Sequence, residues 1–292
     1  MDLIKRIESP QAEGRRFDFL QPRGEEALVP ADSVTWRIFK NPVSMFVGGI
    51  TAVILELAEP RVRDGVWNHT TFRTDPMGRL RRTGLAAMVT VYGPHSKAEN
   101  MIAGIRRMHG KISGITAEGF TYNANDEELL NWVQATASFG FMEAYHQLVQ
   151  PLTEPERDSV YREGSRPAAL YGAVGAPGSR AEQQALFDTM RAKLKPTDVI
   201  EEFLGLMLRT PVFPLILRPY QHLLVRAAVD ILPEDMRNHL QLDRRWSLKG
   251  WQRRLIRLSG RLADKIVIKQ SPAVHACRRL GLPDNYLYAR NR

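Results

Sequence analysis

The stretch VSMFVGGITAVILEL, from Val43 to Leu57, is the most apolar run of the chain. It is about 15 residues long and carries one acidic residue, Glu56. A helix that crosses a bilayer needs about 20 apolar residues, so a run of this length favours a helix buried in a protein core. We therefore expect Val43–Leu57 to form the centre of a folded domain.

Helical signals continue on both sides of this run, and they predict an all-α fold. Asp75-Pro76 is typical of a helix N-cap followed by proline at the first helical position. The pairs Ser96/Glu99, Asn125/Glu128 and Thr153/Glu156 have the spacing of capping boxes. Alternation typical of a strand is confined to 115–122, which is expected to be extended or a loop. The expected helices are 34–41, 42–58, 76–92, 97–109, 126–149, 154–164, 181–193, 197–208, 214–231, 233–239 and 251–269.

The chain of 292 residues, 43% of them hydrophobic, is long enough to bury a full core. We expect an N-terminal arm over 1–30, because this segment is polar and has no clear period. The main domain should cover 31–250. A basic amphipathic helix and tail, 251–292, should pack on that domain or extend it.

The positive charge of the protein is concentrated in its tail. Residues 240–292 hold 13 Lys or Arg against 3 Asp or Glu, a net of +10, whereas the whole chain carries +9. Arg254, Arg257, Arg261 and Lys265 repeat at helical spacing beside a stripe of leucines and Ile266. Such a helix can lie on an anionic membrane or bind an acidic partner, or it can pack on the core with a solvated charged face, which is the commoner arrangement. Nucleic acid is not expected, because no recognition motif accompanies the charge.

Several kinds of site are excluded by what the sequence lacks. The single cysteine, Cys277, rules out intrachain disulfides, iron–sulfur clusters and thiolate zinc sites, and it favours a packed thiol in a reducing compartment. The chain contains no H-E-x-x-H, P-loop or G-x-S-x-G motif. The N-terminus lacks the apolar segment of a secretory signal. We expect a cytoplasmic protein.

His109 is the first candidate for a functional side chain. On the helix predicted from Ser96, Ile102, Ile105, His109 and Ile112 share one face, so the imidazole should project toward the core. A buried imidazole must be hydrogen-bonded or bound to a ligand. The periodicity alone favours an ordinary core histidine.

The helix predicted to begin after Asp75 carries a second group of candidates. Arg79, Arg82 and Thr83 share a face, which Ala86 and Thr90 continue with small side chains. Guanidinium groups on a buried face need an anion, and porphyrin propionates, a phosphate or an acidic helix would each supply one. Upstream, His69 either closes the far side of such a pocket or lies in a surface loop.

Taken together and in order, these residues resemble a known family of oxygenases. Its members include the bacterial rubber oxygenase, or latex-clearing protein, and the fungal MpaB-type oxygenase of mycophenolic acid biosynthesis. The resemblance covers about 30–250. The matching segments are His69 to Phe72, Asp75-Pro76, Arg79 to Thr83, Tyr92-Gly93, Met108-His109, Gly114, Tyr122 to Asp126, Trp132-Val133, Pro151-Leu152 and Ile231 to Trp246.

The resemblance implies an all-helical, globin-like core that holds haem b. It makes His109 the axial ligand of the iron, and Arg79 and Thr83 match the residues on the opposite, distal side. Arg82 stands where the rubber oxygenase has a distal lysine. The haem-binding residues are then His109, Arg79, Arg82 and Thr83, and the catalytic residues are Arg79, Arg82, Thr83 and His69.

The implied activity is a haem-dependent oxygenase that uses O2 on an apolar, unsaturated substrate of isoprenoid or lipid type. Two alternatives stay open at this point. One is a haem protein without oxygenase activity, such as a sensor or peroxidase. The other is a haem-free helical scaffold held on a membrane surface by its basic tail.

Overall fold

The protein is predominantly helical over the residues described by its computed structural model, which are 11–12, 15–242 and 244–289. The predicted all-α class is confirmed. The helices are α1 Val34–Phe39, α2 Pro42–Ala58, α3 Pro60–Trp67, α4 Pro76–Tyr92, α5 His95–His109, α6 Glu127–Leu148, α7 Glu154–Tyr171, α8 Arg180–Arg191, α9 Asp198–Arg209, α10 Arg218–Asp230, α11 Glu234–His239, α12 Gly250–Ala263 and α13 Pro272–Arg279.

The described residues also contain two short antiparallel strand pairs. One joins β1 Gln11–Ala12 to β2 Arg15–Arg16, and the other joins β3 Ser113–Ile115 to β4 Thr121–Asn123. The second pair is a hairpin at 113–123, so the stretch expected to be extended or a loop is partly strand. Three 3₁₀ turns complete the fold, at Leu215–Leu217, Arg244–Trp246 and Tyr286–Tyr288.

Helix α2 is the buried core helix that the apolar run predicts. Asn41 caps its N-terminus by accepting hydrogen bonds from the amides of Val43 and Ser44, and Pro42 occupies the first helical position. Most of its side chains are buried, including Ile54 and Leu55, which expose no surface. The main hydrophobic core of the protein therefore forms around this helix.

The closest packing of α2 is its antiparallel crossing with α6, where two glycines face each other. A Cβ atom at Gly140 would lie 2.4 Å from the carbonyl oxygen of Gly48, and one at Gly48 would lie 2.7 Å from that of Gly140. Farther along the pair, the indole of Trp132 donates a 3.2 Å hydrogen bond to the carbonyl of Leu55. The two backbones thus touch directly, and any larger side chain at the crossing would separate them.

The two ends of the described chain pack together in a second core. The buried guanidinium of Arg279, in α13, donates hydrogen bonds to the backbone carbonyls of Phe19, Glu25 and Tyr92. Phe19 itself is buried, as is Cys277 beside Arg279, and burial raises the pKa of the Cys277 thiol to about 11. Cys277 is therefore the packed thiol that the sequence predicts. The arm predicted over 1–30 has no helix within 17–30, but this part of it is packed onto the domain.

Two of the three predicted capping boxes are wrong. Helix α5 begins at His95 after Pro94 and has no side-chain cap, because the amide of Ser96 donates to Glu25 from the N-terminal segment. Helix α6 is capped by Asp126 rather than by Asn125. Only the box between Thr153 and Glu156, at the start of α7, is confirmed.

Several helix boundaries also differ from the predicted ones. Helix α7 continues through Pro167 to Tyr171, because Val160, Tyr161 and Ala168 along it are buried. Helix α12 ends at Ala263 rather than at residue 269, and its C-cap residue, Asp264, forms an ion pair with Lys40. Helices α3 and α13 were not predicted; both are short, with 8 residues each, and a proline opens both.

Among the described residues, no single helix is both long and apolar enough to cross a membrane. Helices α2 and α3 reach that length and composition only as a pair, and the pair is bent by 113° at the break between them.

The glycine crossing yields a matched pair of substitutions on adjacent residues. Gly48→Ala should lower the free energy of unfolding by about 1–3 kcal/mol, because the new methyl group would overlap the backbone of α6. Gly49→Ala should be neutral or stabilising by up to about 1 kcal/mol, because its Cβ would lie 3.8 Å from Phe141 and alanine favours the helix. Urea unfolding of both variants measures the difference, and equal stabilities would contradict the close crossing.

Candidate functional site

Helix α4 carries the candidate residues of the Arg79 cluster and separates two different environments. The carboxylate of Asp75 accepts a 2.8 Å hydrogen bond from the amide of Gly78 and so caps the helix, as predicted. Met77, Leu80 and Gly84 lie on one side of the helix, and Arg79 and Ala86 lie on the opposite side.

The first side of α4 faces an apolar cavity of about 200 Å³ that it shares with α2. Side chains from α2 (Phe46, Ile50 and Val53) and from α4 (Leu80 and Met88) form much of its wall. The other lining residues are Phe39, Lys40, Pro42, Met45, Gly49, Phe72, Met77, Arg81, Thr83, Gly84, Leu85, Ala87, Phe141, Phe203, Val212 and Pro272. A cavity of this composition suits a hydrocarbon ligand.

On its opposite side, α4 carries Arg79. Arg79 lies near Glu56 and His109, and these three residues form a partly buried polar recess. The guanidinium carbon of Arg79 lies 5.3 Å from the ring centre of Phe72, and its Nε atom is buried without a hydrogen-bond partner among the described residues. Burial lowers the pKa of Arg79, the charge of nearby Glu56 opposes that shift, and the charge of Arg82 adds to it. Phe72 also lines the apolar cavity, so its ring is a shared wall between the recess and the cavity.

His109 is the last residue of α5 and belongs to the same recess. Its side chain is half-buried, and its Nδ1 atom is buried with no hydrogen-bond partner among the described residues. Burial lowers the pKa of His109, and the positive charge of Arg79 lowers it further. The imidazole is therefore neutral at pH 7, which is the form that binds a metal. The predicted inward projection of His109 is confirmed in part, because the side chain keeps some contact with solvent.

Glu56 is a third member of the recess that the sequence analysis did not select. It is only partly exposed and is surrounded by protein, and this burial raises its pKa to about 7, against the opposing effects of Arg79 and of a hydrogen bond to Thr136. On helix α2, Glu56 lies on the same face as Met45, Gly49 and Val53. These three residues line the cavity. The carboxyl group of Glu56 thus lies at the end of the cavity-lining face of α2, beside the recess.

One signal in the sequence could have identified Glu56. It is the only charged residue in the apolar run Val43–Leu57, and an ionisable group in such a run must be paired or must have a shifted pKa. The structure supplies both conditions, since Arg79 approaches from α4 and burial raises the pKa of the carboxyl group. A perturbed acid beside a cavity is a common feature of functional sites.

The other predicted site residues lie outside this group or at its edge. Arg82 is exposed; it donates a 2.5 Å hydrogen bond to the hydroxyl of Thr71 and lies 3.7 Å from Asp75. The hydroxyl of Thr83 donates to the carbonyl of Arg79 within α4, and Thr83 lines the cavity at its edge. His69 is exposed, and its Nε2 atom lies 3.2 Å from the hydroxyl of Tyr122. The structure therefore brings Arg79 and His109 together with Glu56, but not with His69.

The side chains of the recess have the chemistry to bind a group that needs few protein ligands. No set of three or more His, Cys, Asp or Glu among the described residues could hold a free metal ion. An iron porphyrin brings four nitrogen ligands of its own and needs one axial side chain. The unpartnered nitrogen of His109 and the unpartnered guanidinium nitrogen of Arg79 fit such a group, because one can bind the iron and the other a propionate.

The fold and the recess define an all-α protein in which a histidine and an arginine on neighbouring helices lie near each other, beside an apolar cavity. Residues 36–264 match the family model described as "ER-bound oxygenase mpaB/B'/Rubber oxygenase, catalytic domain". The matched range contains α2 and both helices that carry the recess. The chain belongs to this family of oxygenases.

Two curated relatives are similar over a shorter segment. They are uncharacterized proteins of Mycobacterium bovis and Mycobacterium tuberculosis, and each is 28% identical over 118 residues. The match covers 39% of this chain and 46% of each relative, so the chain spans about half the length of the curated relatives it matches. No solved structure matches the chain.

The raised pKa of Glu56 predicts a pH-dependent gain in stability for Glu56→Gln. Below about pH 4 the carboxyl group is protonated in both the folded and the unfolded protein, so the variant and the wild type should differ little. As the pH rises from 4.5 toward 7, the unfolded carboxyl group ionises while the folded one resists ionisation, and the wild type loses stability. Near pH 8 the variant should be more stable by up to about 3 kcal/mol.

The measurement is the free energy of unfolding across this pH range. Glu26→Gln, at an exposed position, is the matched control and should follow the wild-type profile. A constant difference between Glu56→Gln and the wild type at all pH values would contradict the perturbed titration of Glu56.

Proposed function

We propose that the protein is a haem b-dependent oxygenase that acts with O2 on an apolar, unsaturated substrate of isoprenoid or lipid type. The observation that carries the proposal is the buried, unpartnered Nδ1 atom of His109 opposite the unpartnered guanidinium nitrogen of Arg79. Membership of an oxygenase family supports the reaction class. The apolar cavity beside the recess supports the substrate class and favours an oxygenase over a sensor.

His109 is the residue proposed to bind the iron, and Arg79 is proposed to pair with a propionate or to act on the distal side. The exposed Arg82 and the cavity-edge Thr83 are proposed as further contacts of the haem. A histidine-ligated haem supplies O2 binding and redox chemistry. The protein then has to orient the substrate, exclude water and manage protons.

The side chains of the recess suit these tasks. The fixed positive charge of Arg79 stabilises negative charge that develops near it, and burial strengthens that effect. With a pKa of about 7, Glu56 can accept a proton from a substrate and release it near neutral pH. The apolar wall formed by α2 and α4 suits a hydrocarbon chain.

We also propose a cytoplasmic protein, on the basis of its one unpaired and buried cysteine, with a peripheral contact to an anionic membrane through Arg254, Arg257, Arg261 and Lys265. His69 is proposed as an accessory residue only, since its partner is Tyr122 and not the recess.

Haem binding gives the direct test of His109. After reconstitution with haem, the wild type should show a Soret band and His109→Ala should lose it or bind haem far more weakly, because the axial ligand is gone. His222→Ala, at an exposed position of α10, is the matched control and should keep the spectrum. A full Soret band in His109→Ala, or no Soret band in the folded wild type, would contradict the proposal.

Filling the cavity tests the substrate site separately from haem. Gly49→Leu should add bulk to the cavity, because Gly49 lines it and a Cβ atom there would meet only the ring of Phe141, at 3.8 Å. We expect a weaker affinity for a fluorescent polyene lipid by roughly tenfold, with an unchanged Soret band. Ala185→Leu, at an exposed position of α8 away from the cavity, is the control. Equal lipid affinities for both variants and the wild type would exclude the cavity as the binding site.

A further inference from the structure

Helix α12 presents three different faces, and only one of them packs on the protein. Gln252, Ile256 and Gly260 are buried against the domain. At Gly260 the helix approaches α6 closely, since a Cβ atom there would lie 2.5 Å from the carbonyl oxygen of Leu148. The orientation of α12 is therefore fixed, and its two remaining faces point to solvent.

The second face is an apolar stripe that the structure leaves uncovered. The commonest arrangement for such a helix, with its leucines packed on the core, is thus not found. The members of the apolar stripe expose between 43% and 60% of their surface, and they are Trp251 (60%), Leu255 (43%), Leu258 (57%) and Leu262 (53%) on the helix and Ile266 (55%) three residues after its end. Contiguous exposed apolar surface of this kind marks an interaction site.

The third face is basic and lies directly beside the apolar stripe. Arg254, Arg257 and Arg261 on the helix and Lys265, two residues after its end, are all exposed. Leu258 is within one helical turn of Arg254 and Arg261. Arg257 and Arg261 also donate hydrogen bonds to the backbone carbonyls of Gln147 and Val149, at the end of α6. Their positions are thus held by the domain.

A second apolar element lies near the stripe. Leu215 and Ile216, in the 3₁₀ turn before α10, expose 75% and 86% of their surface. In the first turn of α10, the hydroxyl of Tyr220 lies 2.6 Å from that of Ser259, which borders the apolar stripe on α12. The turn and the stripe therefore belong to one side of the molecule.

We propose that this side of the molecule docks on an anionic lipid bilayer, with the apolar stripe and the turn at Leu215–Leu217 inserted among the lipid chains. A membrane-surface helix combines an apolar face with a basic one in this way, and the arginines would meet the lipid headgroups. Trp251 is an amphipathic residue of the kind that concentrates at the membrane–water boundary. The charge of the tail, +10 over 240–292, complements an anionic surface.

A chain of side-chain contacts links the docked face to the apolar cavity. Phe46 lines the cavity and its ring lies 5.5 Å from that of Phe213, which in turn lies 6.2 Å from that of Tyr220. Tyr220 then contacts Ser259 on α12. Docking would therefore bring the cavity close to a reservoir of apolar molecules. This consequence rests on the proposed function, whereas the docking itself does not.

Trp251 provides an internal probe for the test. The other four tryptophans of the chain are buried, and they are Trp36, Trp67, Trp132 and Trp246. Vesicles of phosphatidylcholine containing phosphatidylglycerol should shift the tryptophan emission to the blue, and brominated lipids should quench it. Trp251→Phe should bind the same vesicles in a sedimentation assay but lose the shift and the quenching.

Paired variants separate the apolar and the electrostatic contributions. Leu258→Gln with Leu262→Gln should weaken vesicle binding roughly tenfold or more, whereas Val174→Gln, at a position exposed elsewhere, should not. Arg254→Gln with Lys265→Gln should weaken binding to phosphatidylglycerol vesicles and reduce its dependence on salt. Arg23→Gln removes a charge from an exposed position far from α12 in sequence and is the control.

Three results would overturn the proposal. The first is wild-type protein that does not bind anionic vesicles in sedimentation. The second is binding that the leucine pair and Val174→Gln affect equally. The third is self-association, measured by analytical ultracentrifugation, that the leucine pair abolishes while vesicle binding is unchanged, because the apolar stripe would then be an interface between copies of the chain. None of these results depends on haem, so the oxygenase proposal is tested separately.

Discussion

The direct contact between the backbones of α2 and α6 at Gly48 and Gly140 is the constraint on which the rest of the structure depends. It fixes the rotation of α2, and so it decides which of its residues meet α6 and which line the cavity. Glu56 lies at the border between these two sides, within reach of Thr136 on α6. A larger residue at the crossing would change the core packing and the position of the acidic side chain together.

Helix α4 lies between the polar recess and the apolar cavity. Arg79 faces the recess, while Leu80 and Met88 face the cavity, and the ring of Phe72 contacts both regions. This arrangement places one fixed positive charge near an acid whose pKa is raised to about 7 and near a histidine whose pKa is lowered. Both shifts have burial as their largest cause, and Arg79 favours the charged form of Glu56 and the neutral form of His109.

The basic C-terminal tail packs on the domain with one face of α12 and exposes the other faces to solvent. Gly260 and Ile256 attach α12 to the core, whereas Leu258 and Leu262 remain exposed beside the arginines. Helix α13 then closes the fold through Arg279, which joins the last described helix to the N-terminal segment. The C-terminal tail thus stabilises the fold through its contacts with the N-terminal segment and also exposes an amphipathic surface.

The sequence alone determined the helical class, the central helix, the cap at Asp75 and the two helices that carry His109 and Arg79. These features depend on local periodicity and on short-range hydrogen bonds, which a sequence displays directly. It did not determine the start of α5, the length of α7 or the status of Glu56, because each depends on tertiary packing. At α6 the predicted cap was wrong by one residue, since Asp126 accepts the hydrogen bonds expected for Asn125. At the start of α5, Glu25 accepts the hydrogen bond of the Ser96 amide. Helix α7 continues beyond Pro167 because its residues on both sides of the proline are buried. Arg79 approaches Glu56 from another helix. The exposure of the α12 stripe was likewise decided only in three dimensions, since periodicity shows that a helix has an apolar face but not whether the core covers it.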